Sequence, residues 1–542
     1  MTDIEIPFSA DRHGHYRVFE VMPWALSMSV LLLLFLLSIV NVTLAAFFVM
    51  LYLLIYVTRA LALAVRSVHG YGALKRHLKI DWFQILQELE LGKVNNKNVY
   101  ALAWHQHQVE EHGGDKLQIK PSSLLHAIIV ATYNESREVL EPTIQSILAS
   151  DFPIKKQVIL IIAYEERGGS QVELQAKEII ETYKDRFFYA AAIKHPKNIE
   201  GEIIGKGGNI TFAGRQLQKY LEHKHINPLN VVVTTLDADN HPDKEYLACL
   251  SYTYVLCPNP VQAAFQPISM YTNNIWDAPA PMRVLATGNS IFNIVLSMRP
   301  HIMRNFSSHA QGMTSLIQTN FWSTRTICED GHQFWRSYFR FDGDYIVYPL
   351  HVPIYQDAVL SETYKKTLKA QFIQLRRWTY GASDIAYVIN QGFFKKNKVP
   401  KHKLISKTLR LTEGHITWAV GPILSLIGGF IPVLFHPNSF AANQLPLVVS
   451  KIQTFALLSI LIMLFLCVKT LPPKPERYKR RRTLFMVIQW VYLPFTTIIY
   501  NSFAAIYSQT RLAFGKYLEF DVTEKAVIDE SGETTTGLSY KR

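Results

Sequence analysis

The chain has 542 residues, 49% of them hydrophobic, with 56 Lys and Arg against 43 Asp and Glu, a net charge of +13. That length allows one large domain plus a second body. The basic excess suits an anionic membrane surface, and without zinc-finger spacing, an RNA-binding aromatic motif or a basic-helix pattern, a nucleic-acid partner is excluded. The four cysteines, Cys249, Cys257, Cys328 and Cys467, have no CxxC spacing. They predict buried free thiols, not a disulfide framework.

In chain order, residues 1–20 form a short leading segment, expected on the cytoplasmic side. Residues 21–58 carry no charge. One helix there would be about 57 Å long, roughly twice the hydrocarbon core. The segment therefore predicts a transmembrane hairpin broken at Asn41-Val42-Thr43, and it is too long for a cleavable signal peptide. Residues 59–125 read as an amphipathic or linker region. Residues 415–470 predict a second hairpin, crossing at 415–435 and 447–468. Residues 436–446, between them, hold no Lys or Arg, whereas 474–482 holds Lys474, Arg477, Lys479, Arg480, Arg481 and Arg482. The positive-inside rule puts the first loop outside and the second in the cytoplasm. Arg59, Arg66, Lys75 and Arg76 place residues from about 70 to 410 in the cytoplasm by the same rule. The expectation is a multi-pass protein of the cell membrane.

Residues 484–510 are uncharged but interrupted by Pro494. They are expected to form a membrane-associated, Pro-broken segment, with a further crossing as the alternative. Residues 365–389 and 393–410 mix Lys and Arg with Leu, Phe, Ile and Trp. They predict basic amphipathic helices against lipid headgroups, within an interfacial region at 361–414.

Residues 126–360 read as an α/β domain. Apolar runs at 126–132, 157–164 and 231–236 predict strands, with 187–193 a further one. Residues 137–149 and 171–183 predict helices between them, so the sheet is parallel and covered on both faces. In such a sheet the ligand edge lies at the carboxyl ends of the strands. That edge gathers Thr132-Tyr133-Asn134-Glu135, Glu165-Glu166 and Asp237-Ala238-Asp239. Two carboxylates one residue apart at a strand end read as an anchor for a divalent cation and a diphosphate. Gly205-Lys206-Gly207-Gly208-Asn209 opens another helix, where glycines permit close backbone approach and Lys206 brings positive charge. It is not a P-loop, which needs GxxxxGK[ST].

Glu329-Asp330 and Gln374-Leu375-Arg376-Arg377-Trp378 follow in order. Together with the motifs above and Phe520-Asp521-Val522-Thr523-Glu524-Lys525, this set resembles the membrane-embedded family 2 glycosyltransferases, of which cellulose synthase and hyaluronan synthase are members. The resemblance covers residues 126 to 525. It implies a GT-A fold, a Rossmann-like nucleotide-sugar domain, combined with an α-helical transmembrane region. It implies an inverting hexosyltransferase that uses a nucleotide-sugar donor, a UDP-sugar first, and lengthens a polysaccharide with translocation across the membrane. Transfer of one sugar to a lipid or lipid-linked acceptor is the alternative. A transporter or scaffold with a non-catalytic nucleotide-binding domain is the reading from another class.

By the same resemblance, Thr132, Tyr133, Glu135 and Asp237 hold the nucleotide, and Glu165 or Glu166 reaches the base. Lys206 faces phosphate. Asp239, with Asp237, binds Mg²⁺ or Mn²⁺. Asp330, beside Glu329, is the general base. Gln374, Arg377 and Trp378 frame the acceptor and diphosphate. Phe520, Val522, Thr523 and Lys525 form a gating segment, followed by a polar tail with no expected structure. The sequence departs from the family where Cys328 replaces a Thr, and where Glu165-Glu166-Arg167 replaces Asp-Asp-Gly. Ser307-Ser308-His309-Ala310-Gln311-Gly312 occupies the place of a cysteine-containing motif. Sugar, linkage, choice of metal and oligomeric state stay open.

Overall fold

The computed structural model describes residues 3–94, 103–520, 526–528 and 534–536. Its centre is an eight-stranded mixed sheet in the order β3-β2-β1-β4-β7-β6-β8-β5. The strands are β1 (Leu125–Thr132), β2 (Val158–Glu165), β3 (Tyr189–His195), β4 (Val231–Asp237), β5 (His241–Pro242), β6 (Ala263–Tyr271), β7 (Ala310–Gly312) and β8 (Ile346–Gln356). β1 to β4 are parallel, as their continuous apolar runs required. β7 is antiparallel to both β4 and β6, and β5 is antiparallel to β8.

Alternate residues feed two cores. Ile128 and Val130 of β1 meet Leu140 and Ile144 of the Arg137–Leu148 helix and Val172 and Ile179 of the Ser170–Tyr183 helix. Ala127 and Ile129 meet Ile210, Ala213 and Leu217 of the Lys206–His223 helix. This two-sided cover leaves the carboxyl ends of β1, β2 and β4 as one edge.

The membrane-type region begins with α1 (His15–Val40) and α2 (Val42–His77). Asn41 breaks them as expected: its side chain accepts from the amides of Thr43 and Leu44, an N-cap for α2. Among the described residues, four helices are long and apolar enough to cross a membrane: α1, α2, Phe440–Thr470 and the helical run Arg481–Ala513. An α/β domain joined to helices fit for a membrane is thus what the chain forms.

Several expectations need correction. Residues 393 and 394 end a π turn, Asn390–Phe394, and 395–400 belong to no helix. The helix starts after Pro400 and runs Lys401–Ile427, because a residue before proline disfavours helical geometry. The expected crossing at 415–435 is split, since Gly428, Gly429 and Pro432 end that helix and a short one, Ile431–Phe435, follows. Its Ala419, Val420 and Leu424 still pack in the bundle with Leu34, Val49 and Leu53. The tail is not wholly without structure: Ala526–Ile528 and Thr534–Thr536 pair antiparallel.

Residues 484–510 are not broken at the proline. The run Arg481–Ala513 continues through Pro494 by passing into 3₁₀ and π turns. It lies along the α/β domain. Met486 packs with Trp276 and Met282, Ala504 with Leu285 and Leu375, and Leu512 with Ile327 and Tyr380. At its first end Arg482 donates to the carbonyl of Trp276 at 2.6 Å.

Candidate functional site

β4 delivers Asp237 at its last position, opposite Ala131 of β1. From the start of its helix, Lys206 places Nζ 2.9 Å from Asp237 Oδ1 and 3.6 Å from Asp330 Oδ2. Lys206 thus joins two acids separated by 93 positions in the chain. Ser307 donates to Asp237 Oδ2 at 2.8 Å. Burial works against the Lys206 charge, but Asp237, Asp330 and Glu329 outweigh it and hold the ammonium above its ordinary pKa.

Glu329 and Asp330 open the Glu329–Arg340 helix but face different surroundings. Glu329 is buried, and that burial, followed by repulsion from Asp330, lifts its pKa to about 8. That favours its protonated form. Asp330 keeps 18% of its side chain exposed. Its Oδ1 accepts no hydrogen bond among the described residues. His309 Nδ1 lies 3.7 Å from it, yet donates to the carbonyl of Phe306 at 2.9 Å, while Trp322 Nε1 donates to His309 Nε2 at 3.4 Å. Nδ1–H and an accepting Nε2 make a neutral imidazole, and burial lowers its pKa in agreement.

The glycines beside Lys206 serve packing. A Cβ on Gly207 would sit 2.3 Å from the Ser323 carbonyl, and one on Gly208 would meet Glu202 at 2.7 Å. Their bareness lets the helix start press against the 323–330 segment, which is how Lys206 and Asp330 come to share one space.

At the far end of the edge, Glu135 folds back on its own loop. One of its oxygens takes hydrogens from Thr132 Oγ1 at 2.7 Å and the Tyr133 amide at 2.8 Å. Glu165 pairs with Arg167, whose guanidinium stands 5.3 Å from the Tyr133 ring centre. Burial raises the pKa of Glu165, against the pull of Arg167. Glu166 turns aside to accept from the Lys197 amide at 3.0 Å. Of the two adjacent acids, Glu165 is the one beside Tyr133.

The Tyr364–Thr379 helix carries Gln374, Arg377 and Trp378 on one side, spaced three and four apart. Cys328 donates from Sγ to the Arg377 carbonyl at 3.2 Å, tying this helix to the segment leading into Asp330. Trp378 lies 6.0 Å from the ring of Tyr271. Burial, then the charges of Asp237 and Asp239, raise the Tyr271 pKa. Tyr271 is thus a site residue the sequence reading missed, and Ser307 and His309 stood there only as part of a displaced motif. Phe520 stands with its ring centre 4.6 Å from Arg377 Cζ and next to Gly205. Val522, Thr523 and Lys525 lie outside the described residues. The Ala526 amide beyond them donates to the Leu360 carbonyl at 3.0 Å.

Among the described residues no three His, Cys, Asp or Glu side chains gather as a metal site. Asp239 accepts from the Asp357 amide at 3.4 Å. Two carboxylates completed by phosphate oxygens is the usual way proteins hold Mg²⁺, and Asp237 with Asp239 fits that donor set.

No family model matches the chain, and no curated protein matches it. Among solved structures, it is similar to the mannosyltransferase PcManGT from Pyrobaculum calidifontis, solved with GDP-Man and Mn²⁺. The identity is 15% and the TM-score 0.35, covering 79% of this chain and 98% of that one. It is also similar to residues 1–349 of S. aureus TarS, at 11% identity and TM-score 0.35, covering 76% and 96%. Longer S. aureus TarS gives 11% and 0.32, covering 77% of this chain and 60% of that one. These likenesses are loose, so the reading of the site stands on its own geometry.

Proposed function

We propose that the chain is an inverting membrane glycosyltransferase with a GT-A domain. It moves a sugar from a nucleoside-diphosphate sugar, a UDP-sugar first, to a hydroxyl of a growing polysaccharide. The observation that carries this is Asp330, with one oxygen near Lys206 and the other accepting no hydrogen bond among the described residues. Inversion in one step needs a base for the acceptor proton, and the part-exposed Asp330 can supply it. Glu329 beside it is buried, and its raised pKa favours the protonated acid.

The charge balance supports a diphosphate brought in with a cation. Asp237, Asp330 and Glu329 surround the Lys206 cation, so a bare diphosphate would add negative charge to an acid-rich space. Mg²⁺ or Mn²⁺ on Asp239 and Asp237 would relieve that and stabilise the leaving diphosphate. Lys206 and Arg377 would hold phosphate oxygens, and Tyr133, Glu165 and Thr132 would meet the base. Gln374 and Trp378, with Tyr271, would frame the acceptor sugar, a flat aromatic surface suiting a pyranose ring.

Tyr271 and Trp378, which would frame the acceptor, pack with Met486, Tyr500 and Ala504 of the helical run Arg481–Ala513. That supports a product handed toward the membrane by a cytoplasmic catalytic domain. The same face would serve a lipid-linked acceptor taking one sugar. Purified protein incubated with UDP- and GDP-sugars and Mg²⁺ or Mn²⁺ should release nucleotide, and the length of radiolabelled product separates polymer from single transfer. Absence of release with every donor would remove the proposal.

A further inference from the structure

A second buried charge cluster lies at the start of α1. The Glu20 side chain has no exposed area, and Arg12 Nη1 reaches its Oε1 at 3.2 Å. Its Oε2 is met by Arg17 and by the hydroxyl of Tyr517, which donates at 3.0 Å. Arg12 also stands 4.7 Å from the centre of the Tyr517 ring. Arg17 continues to the carbonyls of Leu512 at 3.1 Å and Ala513 at 2.9 Å, at the end of the Arg481–Ala513 run. Glu20 lies beyond the first turn of α1, past the reach of the macrodipole, and its charge is met instead from positions 12, 17 and 517.

What the cluster grips is Tyr517. From there the chain passes through Leu518, buried with Ile327 and Tyr380, to Phe520 over Arg377 and Gly205. The same leading segment reaches the opposite wall. Glu5 accepts from Arg336 at 3.0 Å and from Ser323, and the Phe8 ring lies 3.5 Å from Arg325 Cζ and against Gly201. Ser323 and Arg325 lead into Asp330, and Gly201 leads into Lys206.

We propose that Glu20 is a positioning residue for donor binding. By holding the Tyr517 hydroxyl, it fixes Phe520 against Arg377 and Gly205 and so sets the affinity for the donor diphosphate. The ligand's identity rests on the glycosyltransferase reading; the mechanical link rests on the contacts alone.

Tyr517→Phe keeps the ring over Arg12 and removes only the hydroxyl. In the full-length protein it should raise the donor KM about fivefold to tenfold, a typical coupling between linked sites. Acceptor KM should stay unchanged and kcat should stay within about twofold. Glu20→Gln, which keeps size and one accepting oxygen, should give a smaller shift in the same direction. Calorimetric titration of UDP and GDP with Mg²⁺ should show the same loss in Kd without turnover. A lower thermal midpoint with donor KM and nucleotide Kd unchanged would overturn the proposal, leaving the cluster structural. Wild-type protein that binds nucleotide but transfers no sugar would refute the function, while the Kd ratio would still judge Glu20. Wild-type protein that binds neither nucleotide would end both.

Discussion

The Lys206 cluster and the Glu20 cluster are built on opposite charge plans. In the first, one buried cation is shared by Asp237 and Asp330 with Glu329 behind them. In the second, one buried carboxylate is shared by two guanidiniums and a phenol. The acid-rich cluster leaves one Asp330 oxygen without a hydrogen bond among the described residues, whereas in the Glu20 cluster both carboxylate oxygens are engaged. A cluster with an open acceptor is equipped for chemistry, and a closed one for holding shape. The difference yields separate consequences for activity and for stability.

The largest expected effect tests the open acceptor. Asp330→Asn keeps the volume and the approach of Lys206 but cannot take a proton. Sugar transfer should fall about 10²- to 10⁴-fold, the range for a lost general base, while nucleotide Kd changes little. Next comes the metal. EDTA, or Asp239→Asn, should abolish nucleotide release, with Mg²⁺ or Mn²⁺ restoring it after EDTA only. Retained release in metal-free buffer would show that Lys206 and Arg377 suffice.

Gly207→Ala probes how the cluster is assembled. The added Cβ would sit 2.3 Å from the Ser323 carbonyl, so the helix start and the segment before Asp330 must part. Overpacking of this kind costs about 1–3 kcal/mol, and transfer should fall with thermal stability. An unchanged thermal midpoint would mean the two segments are not in firm contact.

How much of this was legible in the sequence follows from the same physics. β1, β2 and β4 announced themselves because parallel strands buried on both faces read as unbroken apolar runs. With them came Thr132, Glu165 and Asp237. β6 and β8 gave no such signal. They contain Pro267, Pro349 and Pro353 with Gln266 and His351, and their pairing slips register at Pro267/Ile268. Tyr271, at the end of β6, was missed with the strand that carries it. The Glu20 cluster was out of reach for another reason: its contact with Tyr517 spans 497 positions, and nothing local marks either partner. The sequence offered Lys206 and Asp330 as separate candidates, but nothing in it marked that Gly207 packs on Ser323.

Glu329→Gln is a smaller effect with a defined sign. Its pKa stands near 8 in the fold against 4.5 when unperturbed. Between those values the folded state keeps a proton that the unfolded state releases, so stability falls as pH rises across that window. The slope is at most about 1.4 kcal/mol per pH unit. Glu329→Gln should flatten the dependence of the thermal midpoint on pH between 5 and 8. A profile as steep as the wild type's would mean another group titrates there.

The smallest effect uses an ion pair with the chemistry of the Glu20 cluster but none of its burial. Arg59 of α2 meets Glu413 of the Lys401–Ile427 helix, with side chains 55% and 47% exposed. Water screens such a pair and both side chains lose freedom in forming it, so its worth is about 0–1 kcal/mol. Arg59→Gln should move the thermal midpoint little and leave donor KM unchanged, whereas Glu20→Gln, with no exposed area on its side chain, should shift donor KM. If both substitutions act equally on donor KM, distance to Phe520 is irrelevant and the closed cluster has no special hold on the site.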